Sequence, residues 1–246
     1  VMSVLAVRFG LPEEAFKGDV VNLFAQINGI ITRGTEFVHK NGGIIYNFYH
    51  DGYDAVFAGE AADAVSAAVT MRHDIMAFNR ERLAGGEAPV TLRAAIDRGE
   101  VMMGVVGDES RFAPAAVSIY LNSARSLAKL AGRLDAGLLC TVEVAENAGS
   151  YSQRYVGKSL KTASRRVYEI FDGDSLEMRT AKEKSRERFA EGVYLLYARD
   201  FTGAKRIFMD IVRGSASDGV SRFYLFLADR LEKSGEAEDE ETLYLA

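Results

Sequence analysis

Cysteine is nearly absent from this chain. The single thiol, Cys140, excludes an internal disulfide and any cysteine-rich zinc site. As a small apolar residue it is expected in the core. Histidine is almost as scarce: there are three, His39, His50 and His73, and none falls in an H-E-x-x-H spacing. No apolar run approaches the ~20 residues needed to span a bilayer, and no signal peptide is visible. The expectation is a cytoplasmic protein with no membrane contact within the chain. The chain opens on Val1 rather than methionine, so a longer polypeptide, with any membrane anchor in its remaining part, is a second expectation. Basic charge is also in short supply. Thirty Lys and Arg against 35 Asp and Glu leave a net charge of −5, which argues against a nucleic-acid partner held through its phosphates.

What is present is an ordinary globular composition, 48% hydrophobic and 26% charged over 246 residues. That length suits one good-sized domain with a smaller appendage. "SVLAVRFGL" is short, apolar and partly β-branched, and predicts a strand. Apolar residues then recur near helical spacing at Val20, Leu23, Phe24, Ile27, Ile31 and Val38, and Gly42-Gly43 stops that helix. "IIYNFYHDGYDAVFAG" predicts strand, turn, strand, because Asp-Gly sits between aromatic and β-branched runs. An Ala-rich amphipathic helix follows, then "VTLRAAIDRGEVMMGVVG" as a strand pair broken around Arg98-Gly99. "LNSARSLAKLAGRL" reads as helix, and "AGLLCTVEV" and "RRVYEIFDG" as strands.

The order β-α-β-β-α-β is the ferredoxin-like plan, an α/β (α+β) class with a mostly antiparallel sheet and helices on one face. Composition shifts after Gly173. Residues 174–246 read as helix throughout, with breaks near Asp200 and at "GSASDG", and end in an acidic tail expected to fray. Two domains are therefore expected, 1–173 and 174–246. In the second, "FAEGVYLLYARDFTGAKRIFMDIV" resembles one tetratricopeptide-type helical pair through Gly192, Tyr194, Asp200-Phe201, Ala204 and Phe208. One such unit cannot bury its own apolar face, so it must pack on the first domain or on a protein partner.

The first domain resembles the class III adenylate and guanylate cyclase catalytic domain. The likeness rests on "LRAAIDRGEVMMGVVGDESRFAPAAVSIYLNSARSL", where Leu92, Arg93, Ile96, Gly99, Glu100, Val101, Gly104, Val106, Gly107, Arg111, Asn122 and Ala124 fit the family's run without a gap. "GGIIYNFYHDGYDAVFAGEAADAVSAA" resembles its Gly-Gly, strand, Gly-Asp-Gly, Ala-Val-Phe-Gly run before an Ala-rich helix. Cyclases of this type convert ATP or GTP to the cyclic monophosphate and diphosphate. Two aspartates hold two Mg²⁺ or Mn²⁺ ions in a site shared between two subunits, and cationic and amide side chains stabilise the transition state.

Carried over position by position, the resemblance implies a depleted site. The second metal aspartate matches Asp51, but the first falls on Gly10, or on Phe9 with a shift of one, and neither binds Mg²⁺. The base-selecting lysine falls on Asn47 and the second base-reading residue on Ala115. The ribose-orienting asparagine matches Asn122. The transition-state arginine falls on Ser126 with Arg125 adjacent, ~100° away around the helix and so expected on the surface. Two readings of Asp51 stand: a metal ligand, or the Asp-Gly turn former. Asn122 likewise either orients a ribose or caps a helix. Tyr46, Phe48, Tyr49 and Tyr53 are expected to divide between the core and a homodimer face. The resemblance thus implies a signalling domain that dimerises and regulates, or binds nucleotide, with impaired catalysis. An active cyclase using Asp51, Asn122 and Arg125, and a scaffold working through the C-terminal helices, are the alternatives.

Overall fold

The computed structural model describes residues 1–108, 110–162, 166–234 and 245. Most of the acidic tail, 235–244 and 246, lies outside them. Strand β1 (Met2–Gly10) is apolar at successive positions because both of its faces are covered. A short 3₁₀ turn (Glu13–Lys17) leads into α1 (Val20–Lys40), where the Asp19 carboxylate caps the helix by accepting from the Asn22 N–H at 3.3 Å. β2 (Gly43–Tyr49) and β3 (Gly52–Phe57) form the expected hairpin. Gly52 turns it at φ 156° with its α-carbon against the Val7 carbonyl, where a side chain has no room. α2 (Ala61–Ala84) lies on the sheet through Ala61, Ala64, Ala67 and Ala68, all fully buried.

β4 (Thr91–Gly99) returns beside β1. β5 (Met102–Gly107) does not pair with β4, as the broken strand pair in the sequence suggested. It pairs with β6 (Phe112–Val117), a strand the sequence pattern missed, in a separate two-stranded arm. α3 (Ile119–Leu134) is capped by Ser118, whose hydroxyl accepts from the Tyr120 N–H at 3.2 Å; Asn122 is one turn inside the helix and is not the cap. β7 (Leu138–Thr141) runs parallel to β4 and gives way at once to the single turn α4 (Val142–Ala145). β8 (Gln153–Lys158) and β9 (Arg166–Ile170) complete a seven-stranded sheet of order β2-β3-β1-β4-β7-β9-β8, antiparallel except at β4–β7.

Helices cover both faces, not one. Leu5, Val7, Tyr53 and Ala94 pack against α1 and α2, while Val4, Ala6, Val56 and Ala95 pack against α3. The second core continues into α5 (Leu176–Tyr197), α6 (Phe201–Gly214) and α7 (Gly219–Ser234) through Phe189, Phe208 and Tyr224. Charge fixes the join. Arg154 of β8, 1% exposed, donates from both terminal nitrogens to Asp218 at 2.8 and 2.7 Å and from Nε to Glu169 at 2.7 Å. Lys182 of α5 bridges Glu169 and Asp174 at 2.6 Å each, and Arg72 reaches Asp174 at 2.7 Å. Burial works against the Asp218 charge, but the Arg154 fork outweighs it and holds the carboxyl down at about 2. The Cys140 thiol is fully buried between β4 and β9, and burial pushes its pKa well up.

Candidate functional site

The pairing of β1 with β3 sets Ala6 opposite Asp54 and Arg8 opposite Gly52. Asp54 thus points to the α3 side of the sheet, fully buried. A buried carboxylate requires partners, and it has four. Arg8 Nη1 donates to Oδ1 at 3.0 Å, while Arg125 Nε and the Tyr49 hydroxyl donate to Oδ2 at 2.6 and 2.9 Å. The Tyr46 hydroxyl lies at 3.5 Å. Burial raises the pKa of both phenols, reinforced by the Asp54 charge at Tyr46 and by the hydrogen bond to Asp54 and then its charge at Tyr49, which keeps them protonated as donors. Burial disfavours the Arg125 charge, but Asp54 outweighs it and the net shift is upward. Arg125 is therefore half-buried in this cluster and not a surface residue, because it finds a carboxylate under the helix.

Asp51 makes the hairpin turn, and its carbonyl accepts from the Phe9 N–H at 2.7 Å. Its side chain is 44% exposed, with Oδ1 4.0 Å from Arg8 Nε. The β1 side chain beside Asp51 is thus a guanidinium. Gly10 lies two residues further on, paired with Thr91, and a β-carbon there would come within 2.7 Å of the Thr91 hydroxyl. Asn47 donates to the Tyr49 hydroxyl at 2.6 Å, and exposed Asn122 accepts from Arg125 Nη1 at 3.4 Å. Ala115 sits on β6 opposite Gly104, in the arm. Ser126 faces a different space, a cavity of about 280 Å³ that it shares with Lys129, Arg133, Ser159 and Lys161. A second cavity of about 260 Å³ is lined by Arg8, Gly10, Asp51, Thr91, Arg93 and Lys129.

A divalent cation fits this donor set poorly. Among the described residues Asp51 is the one carboxylate lining the second cavity, and a guanidinium stands beside it. Among the described residues no group of three or more His, Cys, Asp or Glu side chains could hold a metal ion. Mg²⁺ sheds water reluctantly and is ordinarily held by one or two carboxylates plus phosphate oxygens. With Arg8 in place, the protein's share of such a site has no excess negative charge.

No family model matches the chain. Two curated relatives do. The terminal-differentiation-specific adenylate cyclase of Dictyostelium discoideum is 25% identical over 197 residues, covering 74% of this chain and 9% of that protein. An adenylate cyclase of Anabaena cylindrica is 26% identical over 162 residues, covering 61% of this chain and 32% of that protein. The chain thus spans a minor part of either relative's length. Among solved structures, the adenylyl cyclase CyaB of P. aeruginosa superposes with a TM-score of 0.61 at 22% identity, over 71% of this chain and 94% of that one. The chain carries the fold of a class III nucleotide cyclase domain.

Within this cyclase fold, the residues brought together on the α3 side are Asp51, Asn47, Asn122 and Arg125, with Arg8, Asp54, Tyr46 and Tyr49 around them. Sequence reasoning missed Arg8 and Asp54. The signal was there: each is the one charged residue in an otherwise apolar strand, β1 and β3, which the plan sets side by side. The hairpin aromatics also divide differently from expectation. Tyr53 is core, Phe48 is 57% exposed, and Tyr46 and Tyr49 serve the charged cluster.

Proposed function

We propose that this protein is a cyclase-fold signalling domain that binds a nucleoside triphosphate, ATP or GTP, and pairs with a second copy, with little or no cyclisation. The observation that carries this is Arg8 standing beside Asp51, where catalysis by this fold calls for a second carboxylate. Without a metal pair, neither activation of the ribose 3′-oxygen nor neutralisation of the leaving diphosphate is provided, a loss of several kcal/mol. Ser126 in place of an arginine removes about 3 kcal/mol more. Asn122 remains to orient a ribose, and Asn47 and Ala115 leave the base unselected. The pairing surface is the β5–β6 arm, where Met102, Val105, Val106 and Phe112 are exposed between 60% and 71%. The test is accumulation of cyclic AMP and cyclic GMP by the purified protein with Mg²⁺ and with Mn²⁺. No product above background is expected; turnover abolished by Asp51→Ala would establish an active cyclase instead.

A second reading concerns the C-terminal helices. A groove of about 760 Å³ between α5 and α6, lined by Leu176, Ala181 and Ile211 with Lys184, Arg188 and Asp210, favours a protein partner there. A binding partner that is released by Ala181→Arg, with nucleotide binding unchanged, would support a scaffold role.

A further inference from the structure

The poor fit of this site to a divalent cation has a positive side. Among the described residues five cationic side chains, Arg8, Arg93, Lys129, Arg133 and Lys161, line the two cavities against one carboxylate, Asp51, in a chain whose net charge is −5. Lys129 lines both cavities, so α3 carries the charge from one to the other. Lys129, Arg133 and Lys161 make no salt bridge among the described residues. Arg93 is held by Asp135, which is itself shared with Arg222. Arg8 is pinned by the Val7 and Tyr53 carbonyls and by Asp54, so its orientation beside Asp51 is fixed before any ligand arrives. Each cavity is several times the ~30 Å³ share of one water molecule, enough for phosphate groups.

We propose that the two cavities form a metal-independent site for a phosphate-bearing ligand, with Arg8 supplying the positive charge that a divalent cation supplies elsewhere. The proposal rests on the nucleotide-binding reading and deepens it. A guanidinium offers phosphate a planar, two-pronged set of donors, and a lysine adds a point charge. A divalent ion arriving on the ligand brings like charge toward Arg8, so Mg²⁺ competes with this site and does not complete it. The phosphate can come from a nucleoside triphosphate or from free diphosphate, and the experiment separates them.

Calorimetric titration of the whole chain at fixed ionic strength would use ATP, GTP, inorganic pyrophosphate and adenosine in EDTA, and ATP with excess Mg²⁺. ATP or GTP, and pyrophosphate, are expected to bind in EDTA, adenosine is not, and Mg²⁺ should weaken ATP about tenfold. Arg8→Gln and Lys129→Gln should each weaken binding in EDTA about tenfold, the loss of one charge-assisted contact. Lys129 is exposed and should be replaceable at unchanged melting temperature, which keeps the test sound if loss of Arg8 unfolds the sheet around Asp54. Binding of ATP that requires Mg²⁺ would overturn the proposal and leave nucleotide binding intact. Binding of pyrophosphate alone would support the anion site and overturn the nucleotide reading. Binding of no ligand, or full affinity in Lys129→Gln, would overturn the proposed site.

Discussion

Replacing Arg154 with methionine is the sharpest perturbation of how the C-terminal helices are held. The variant removes three charge-assisted hydrogen bonds, two to Asp218 and one to Glu169, from a side chain 1% exposed. Methionine keeps the contact with the Phe189 ring, over which the guanidinium lies at 4.1 Å. Removing one partner of a buried ion pair costs about 3–5 kcal/mol, because the other charge stays buried and unpaired. Here Lys182 still serves Glu169 at 2.6 Å and Ser221 still serves Asp218 at 2.7 Å, which places the loss near the lower end, about 3 kcal/mol. At a urea m value of about 2 kcal/mol/M the midpoint falls by about 1.5 M.

The pH dependence sharpens the test. In the wild type Asp218 titrates at about 2 against 3.8 unfolded, so its contribution, on the order of 2 kcal/mol, is present above pH 4 and is lost as pH falls toward 2. In the variant the unpaired carboxyl has a raised folded pKa, so its penalty is full at pH 7 and is relieved as pH falls through that value. The stability gap between the two proteins should therefore narrow between pH 7 and pH 4.5. Adding Asp218→Asn to the variant should recover part of the loss at pH 7. A constant gap across that range, or strictly additive losses in the double variant, would refute the account.

Three further outcomes are expected. Arg8→Asp should lower the melting temperature in EDTA by leaving Asp54 with one arginine, and should gain a Mn²⁺-dependent rise that the wild type lacks; combined with Asn47→Lys and Ser126→Arg it should give more cyclic nucleotide than any single change. Val105→Asp with Phe112→Asp, both on the exposed arm, should shift sedimentation toward monomer without a change in melting temperature, whereas Tyr53→Glu in the core should unfold the chain. Cys140 should resist thiol reagents in the native state and react fully in urea, since burial both covers the sulfur and raises its pKa.

The fold was legible where local chemistry and periodicity agree. The β1-α1-β2-β3-α2-β4 order followed from apolar runs, the Asp-Gly turn and the Gly42-Gly43 stop. β6 and β8 were not legible: "FAPAAV" has a proline and small residues because it faces solvent, and "QRYVGK" hides Arg154, whose burial depends on Asp218, 64 residues away. The site divided in the same way. Asp51, Asn47 and Asn122 stood in motifs with fixed spacing. Arg8, Asp54 and Arg125 meet only when three elements come together, and a guanidinium's reach blurs its position on a helical wheel. The expected carboxylate position at Gly10 reflects that limit, because only the β1–β3 register sets Arg8 at the hairpin turn.

The buried charges on β8 and β9 also bear on how the chain is made. Arg154 and Glu169 emerge from the ribosome before Lys182 and well before Asp218. Until α7 has been synthesised, the edge of the sheet carries a guanidinium that belongs in a dry interior and has no carboxylate fork to meet it. Folding of the β8–β9 edge is thereby deferred until α7 has been made. A chain stopped at Gly173, where composition suggests a boundary, would hold that edge open permanently. The two parts are separable on paper, but they mature together.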